Sequence, residues 1–356
     1  MKDQVSPLTG KVILVTGGTG SFGHEFVRTC LDRHQPKKVI IFSRDELKQF
    51  EMRRLFPENK YPSLRFFIGD IRDRERLYRA LDGVDIVIHA AALKQVPACE
   101  YNPIEAIRTN VLGATNLVDA AIDRGVKRVL ALSTDKAANP VNLYGATKLC
   151  SDKLFIAGNH YTGPHETRFS VVRYGNVLGS RGSVVPFFAN ARAQGQLPVT
   201  DVRMTRFIIT LPQGVDFVIK NLARMKGGEI FVPKIPSVGI LDIAKAVAPD
   251  CDVQVVGVRP GEKLHEVMIP ADDARRTIDH GDHYVILPDN ADVRKHARAA
   301  GAKACPEGFE YASNNNTFWL GHSELAKLID PKYLPAAPST PGVAQLVARA
   351  VASPSV

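Results

Sequence analysis

The stretch Val12-Ile13-Leu14-Val15-Thr16-Gly17-Gly18-Thr19-Gly20-Ser21-Phe22-Gly23 decides the fold. Val12–Val15 is an unbroken apolar run of strand length, the pattern of a strand buried on both faces. Gly17, Gly20 and Gly23 follow as a GxxGxxG array, and a helix is expected from about Ser21. Glycine lets the backbone turn sharply and come close to a pyrophosphate, while a helix N-terminus offers amide donors and a positive dipole end. A plain tight turn is the alternative. The position between a first strand and a helix is the context that a dinucleotide loop requires. Gly17, Thr19, Gly20, Ser21, Phe22 and Gly23 are therefore the candidate phosphate loop.

Further apolar runs occur at Val39–Phe42, Phe66–Ile68, Ile86–Ile88, Val129–Leu132 and Val171–Val172. Stretches of helical length, such as Ile104–Arg124, lie between them. This alternation predicts βαβ units and an α/β fold, a Rossmann-type doubly wound parallel sheet. Beyond it, prolines at 186, 198, 212, 233, 236, 260 and 270 interrupt the pattern. A smaller C-terminal substrate-binding lobe is expected there. The predicted boundaries are 8–178, with further elements from 207–235, for the sheet domain, and 179–206 plus 236–330 for the lobe. Residues 331–356, rich in proline at their start, read as a flexible tail, with a short helix allowed at 342–352. Asn314-Asn315-Asn316 reads as a turn and Phe318-Trp319 as core aromatics.

The 356 residues suffice for a large core. Five cysteines, odd in number and without a CxxC, read as reduced, mostly buried thiols rather than metal ligands or disulfides. The net charge is +9, with Lys and Arg scattered. A nucleic-acid surface needs a clustered basic stripe with interleaved aromatics, which is missing, so a ligand with several phosphates is the better partner. No apolar run approaches the ~18 residues of a membrane span, and no apolar segment follows Met1-Lys2-Asp3-Gln4. A cytoplasmic location is the expectation.

The second strand ends in Ser43 and Arg44, with Asp45 one step later. An NAD site usually places a carboxylate here for the ribose 2′-hydroxyl. A hydroxyl and a guanidinium suit a 2′-phosphate instead, so NADP is predicted. Asp70 after the third strand could accept from the adenine amine or cap a helix starting near Arg72. Ile71 adjoins it. Ala90, Ala91 and Ala92 after the fourth strand would let a cofactor lie close to the sheet.

The fifth strand ends in Ser133-Thr134-Asp135-Lys136, and Tyr144 and Lys148 follow. Tyr144 and Lys148 are i and i+4, on one helix face. An ammonium there should lower the tyrosine pKa, so that the phenolate takes an alcohol proton while a hydride leaves the same carbon. Thr134 could hydrogen-bond that alcohol. Asp135 and Lys136, on the catalytic strand's end, are read as a further acid and base rather than a surface ion pair.

At this point the chain resembles the extended short-chain dehydrogenases/reductases, from about Gly10 to Asp330. More narrowly, Ala91–Pro97, Ser133–Asp152, Val172–Val177 and Arg259–Glu266 (RPGEKLHE) look like the UDP-N-acetylglucosamine 4,6-dehydratases of the C5-inverting kind that open pseudaminic acid synthesis. Membrane-bound relatives generally carry Met at the position of Tyr144. The resemblance implies oxidation at C4, loss of water across C5 and C6, and return of hydride to C6. Tyr144, Thr134 and Lys148 would serve the redox step, a neutral Lys136 would take the C5 hydrogen, and Asp135 would protonate the C6 hydroxyl. It also implies that Lys94, shared with the cofactor, lies near the sugar and Asn176 near the diphosphate. Arg181, Arg206 and Arg259 are candidate phosphate clamps, and Glu262 would hold the ribose. Helices Ile104–Arg124 and Asn142–His160 would pair in a homo-oligomer. A UDP-sugar 4-epimerase and a non-catalytic NADP-binding protein are the alternatives. The Asp135-Lys136 pair argues against the first, the presence of Tyr144 and Lys148 against the second.

Overall fold

The computed structural model describes residues 6–289 and 291–335. Strands β1 (Val12–Thr16), β2 (Lys38–Ser43), β3 (Leu64–Ile68), β4 (Ile86–His89), β5 (Arg128–Thr134), β6 (Arg168–Tyr174) and β7 (Ile230–Pro233) run parallel in one sheet. Three shorter strands, β8 (Thr277–Asp279), β9 (His283–Ile286) and β10 (Lys303–Ala304), extend it antiparallel. The order is β10-β8-β9-β7-β6-β5-β4-β1-β2-β3. The strand order reverses at β1, which pairs with β2 on one side and β4 on the other. Ligands of open α/β sheets bind outside the strands' carboxyl ends at such a point.

Helix α1 (Ser21–Arg33) leaves the glycine loop, and α2 (Glu46–Leu55) and α3 (Arg74–Ala80) follow β2 and β3. Asp45 and Asp73 cap α2 and α3, accepting from Lys48 N and Arg76 N. Asp45 is thus a cap, and Asp70 is not one. Helix α4 (Gly113–Asp123) and the preceding segment occupy the predicted Ile104–Arg124, with one π-turn at Arg108–Leu112. Helix α5 (Leu143–Gly158) carries the Tyr-Lys pair, and α6 (Leu211–Arg224) packs on α1. The doubly wound α/β expectation holds.

The domain boundaries differ. Residues 277–304, expected in the lobe, extend the main sheet instead, and Ile278, Val285 and Ile286 belong to its apolar core. Short strands beside proline gave no periodicity to place them. A second apolar core, including Leu178, Phe188, Leu197, Ile208, Val238, Ile243 and Leu325, lies under the lobe. Pro331–Tyr333 forms a 3-10 turn, and Tyr333 packs against this core, so the described chain runs past the expected start of the tail. The rest of that segment, including 342–352, lies outside the described residues. Phe318 and Trp319 are exposed rather than core, and Trp319 Nε1 donates to Asn316 O at 2.7 Å. Among the described residues no helix is long and apolar enough to cross a membrane.

Candidate active site

A cleft of about 1130 Å³ runs along the carboxyl ends of the parallel strands. Its first part is the glycine loop. Gly17 has φ +64°, and a side-chain β-carbon there would stand 2.8 Å from Ala91 N and Cα. At Gly23 a β-carbon would overlap Gly18 O. Gly20 precedes α1 and supplies no side-chain cap, so the helix's first amides are left for a ligand. Thr16 Oγ1 accepts from Ala90 N and Ala91 N, 3.2 Å each, and fixes the small-residue segment beside the loop. The close backbone approach and the uncapped helix fit a pyrophosphate.

The next part surrounds the end of β2. Thr19 Oγ1 and Ser43 Oγ lie 3.0 Å apart. Arg44 Nη1 is 3.6 Å from Asp70 Oδ2, and Arg72 binds Asp70 through a fork of 3.0 and 2.7 Å. Burial opposes ionisation of Asp70, but the Arg72 hydrogen bonds and charge hold its carboxyl below the usual value. Asp70 is therefore engaged by arginine beside the end of β2. Ile71 is buried against Gly113.

The candidate reaction centre lies at the end of β5. Thr134 Oγ1 donates to Asp135 Oδ1 at 2.9 Å, and Tyr144 lines the same cleft. Burial pushes the Tyr144 phenol up to about 12, against the lowering effects of Lys136 and of the Thr134 hydroxyl. The expected lowering by Lys148 is not the governing effect. Lys148 is itself buried, which lowers its own pKa, while Asp152 raises it. Asp152 Oδ2 accepts from Ser133 Oγ at 2.7 Å and pairs with Arg173 at 3.2 Å, beneath the centre.

Lys136 corrects a second expectation. Its Nζ lies 3.1 Å from Asp135 Oδ1, 3.1 Å from Glu266 Oε1 and 3.4 Å from Asn176 Oδ1. Burial alone would lower its pKa, but the two carboxylates outweigh that and hold it above the ordinary lysine value. These surroundings favour the ammonium form of Lys136 over the expected neutral amine. Asp135 is fully buried, behind Thr134 and Lys136, and burial raises its pKa.

Every candidate residue named from the sequence except Asp135 lines this one cleft. Lys94 Nζ donates to Arg181 O at 3.1 Å, and Arg181 N to Ser21 Oγ at 3.3 Å, which places Arg181 beside the glycine loop. Asn176 sits against Lys136. Arg206 is committed to Thr205 O and Leu264 O, at 2.7 and 3.0 Å, rather than free to clamp phosphate. Arg259 is half-exposed and 3.7 Å from Glu262. Glu266 escaped the sequence reading. It closes the RPGEKLHE motif, whose other glutamate had drawn attention, and only the fold brings it to Lys136. Asn110, in the π-turn, was also missed. Its side chain holds Leu93 N and O and Thr147 Oγ1 at 2.8, 2.9 and 3.0 Å.

The sequence profile of the family described as polysaccharide biosynthesis protein matches residues 13–288. The chain belongs to that family. A relative from Campylobacter jejuni, named UDP-N-acetylglucosamine 4,6-dehydratase (inverting), is 54% identical, with 90% of this chain and 98% of the relative covered. A Rickettsia conorii relative named UDP-glucose 4-epimerase is 43% identical, covering 90% and 95%. Among solved structures, Pen from Bacillus thuringiensis superposes with a TM-score of 0.82 at 34% identity, covering 90% of this chain and 97% of Pen. The dTDP-glucose 4,6-dehydratase DesIV of Streptomyces venezuelae, solved with NAD bound, gives 0.64 at 25% identity over 82% and 96%.

Proposed function

We propose that the protein is a hydro-lyase, a UDP-N-acetylglucosamine 4,6-dehydratase that inverts C5 and uses NADP. Its product would be UDP-2-acetamido-2,6-dideoxy-β-L-arabino-hex-4-ulose, the entry to pseudaminic acid-type sugars. The observation that carries this reading is Lys136 Nζ, 3.1 Å from both Asp135 and Glu266, in the same cleft as Tyr144 and Lys148. A 4-epimerase needs the redox pair alone, whereas elimination across C5 and C6 needs further proton transfer. The Campylobacter relative supports the same substrate and outcome.

Gly17, Thr19, Gly20, Ser21, Phe22, Gly23, Ser43, Arg44, Asp70, Ile71, Ala90, Ala92 and Lys94 would hold the dinucleotide, with Tyr144 and Lys148 at its reactive end. When bound, it supplies a reversible hydride acceptor for C4 and donor for C6. Burial keeps the Tyr144 phenol protonated; its phenolate, favoured by the positive charge of an oxidised dinucleotide, would then receive the C4 hydroxyl proton. The C4 ketone acidifies the C5 hydrogen. Lys136 is the member of the Asp135-Lys136 pair whose head reaches the cleft. Its ammonium gives one proton to the departing C6 hydroxyl and takes the C5 hydrogen in exchange, so C5–H and C6–O break, water leaves and the lysine charge is unchanged. Asp135 stays behind as a buried partner of that lysine. C5 then regains a proton from the opposite face. Lys94, Asn176, Arg181, Arg259 and Glu262 remain the proposed substrate contacts.

Incubation with UDP-N-acetylglucosamine in deuterated water tests the reading. A product lighter by one water, deuterated at C5 and of L-arabino configuration is expected. An isomer of unchanged mass would replace this function by epimerisation.

A further inference from the structure

Glu266 is a buried carboxylate that lines the cleft. Its main chain is fixed on both sides by one residue: Glu266 N donates to Ser313 Oγ at 2.9 Å, and Ser313 N donates to Glu266 O at 2.8 Å. Ser313 Oγ in turn lies 2.6 Å from Thr205 Oγ1, which is 2.8 Å from His265 Nδ1. The backbone of Glu266 is thus held rigidly, and its Oε1 is delivered 3.1 Å from Lys136 Nζ and 3.9 Å from Arg206 Nε. Oε2 has no hydrogen-bond partner among the described residues. A carboxylate is seldom buried unless it is paired and its environment serves a purpose.

We infer that Glu266 is a positioning residue for the elimination: it anchors the Lys136 ammonium over the sugar end of the cleft. This rests on the dehydratase reading. Lys136 has four rotatable bonds and a single-atom head, so its direction is set by what its head touches. Asp135 pulls that head back toward β5, and Glu266 and Asn176 pull it toward the opposite wall. The groups facing this pair are Asp135, Tyr144, Lys94, Arg206 and Lys263. Burial would raise Glu266, but Lys136 and then Arg206 overcome it and keep the carboxyl below its ordinary value. The Glu266 charge in turn helps to hold Lys136 protonated and adds to the burial that raises Asp135.

The test compares Glu266→Gln with Glu266→Asp. For Glu266→Gln, kcat should fall by about 100-fold or more, the scale of a lost proton-transfer group, while KM for UDP-N-acetylglucosamine and dinucleotide binding change little. Its alkaline limb of kcat should move to lower pH, because Lys136 loses a counter-ion and gives up its proton sooner. Glu266→Asp keeps the charge and should restore the alkaline limb, at reduced kcat. Equal impairment of both variants with an unmoved pH profile would overturn the inference, as would wild-type kcat in Glu266→Gln. A stability cycle with Lys136→Met reads the same contact without substrate. Glu266→Gln should destabilise the wild type but stabilise the Lys136→Met protein, where the carboxylate has lost its nearest cation. Additive effects would also overturn the inference. A wild-type protein that yields no dehydrated product, yet shows this coupling, would fail the functional reading and leave the contact standing.

Discussion

Thr16 Oγ1 and His89 Nδ1 lie 2.8 Å apart between neighbouring ends of β1 and β4, directly beneath the cleft. His89 is buried, and burial, with repulsion from Lys148, lowers its pKa to about 3. The unfolded chain binds this proton near the ordinary value of 6.5. The folded state therefore gains from a neutral His89 fully above pH 6.5 and loses that gain as the pH falls toward 3. The slope is up to about 1.4 kcal/mol per pH unit. Denaturation midpoints should decline over this range in the wild type and decline less in His89→Asn. Parallel curves would show that His89 does not carry the effect.

Arg44 is the residue proposed to favour NADP over NAD. It stands half-exposed at the end of β2, tethered to Asp70 at 3.6 Å, with Ser43 beside it. Arg44→Ala should weaken NADP binding about tenfold or more, the loss of one charge-assisted contact or better, with NAD binding nearly unchanged. Arg44→Asp should turn the preference toward NAD, since a carboxylate there accepts from a ribose 2′-hydroxyl and repels a phosphate. Calorimetric titration of both dinucleotides checks this, and equal losses for both would remove Arg44 from cofactor choice.

Lys136 is held as an ammonium and is read as giving and taking one proton. Arginine keeps the charge but does not release a proton in this range. Lys136→Arg should bind the dinucleotide normally and form no dehydrated product above about one per cent of wild type. If a tenth or more of the activity survived, fixed positive charge would be its contribution and the proton exchange would have to be moved elsewhere.

The parts of this molecule that were legible in sequence share a cause. β1, β2, β4 and β5 are short unbroken apolar runs because both of their faces are covered. The residues that line the cleft follow those runs directly, so Gly17, Ser43, Ala90 and Thr134 could be found by walking off each strand end. The charge state of Lys136 could not be found that way. Sequence shows its neighbour Asp135, whereas Glu266 arrives from another part of the fold and adds to Asp135 in raising the lysine. The Tyr144 shift was also unreadable, because burial depends on packing that no i, i+4 spacing reports. Strands β8 to β10 were missed since they have only two to four residues each.

Arg173 and Asp152 form a buried ion pair at 3.2 Å, and Asp152 also accepts from Ser133 and supports the charge of Lys148. The three partners make separate predictions. Ser133→Ala removes one hydrogen bond but leaves the ion pair, and should cost about 0.5–1.5 kcal/mol. Asp152→Asn leaves the Arg173 guanidinium buried without its counter-ion and should cost about 3–5 kcal/mol. It also deprives Lys148 of its supporting carboxylate, so activity should fall even where the variant remains folded. Replacing both charges, Asp152→Leu with Arg173→Met, removes the unpaired charge and should recover part of the stability without recovering activity. Chemical denaturation of the four proteins orders them. If Asp152→Asn proved no worse than Ser133→Ala, the pair would not be holding the floor of the active site.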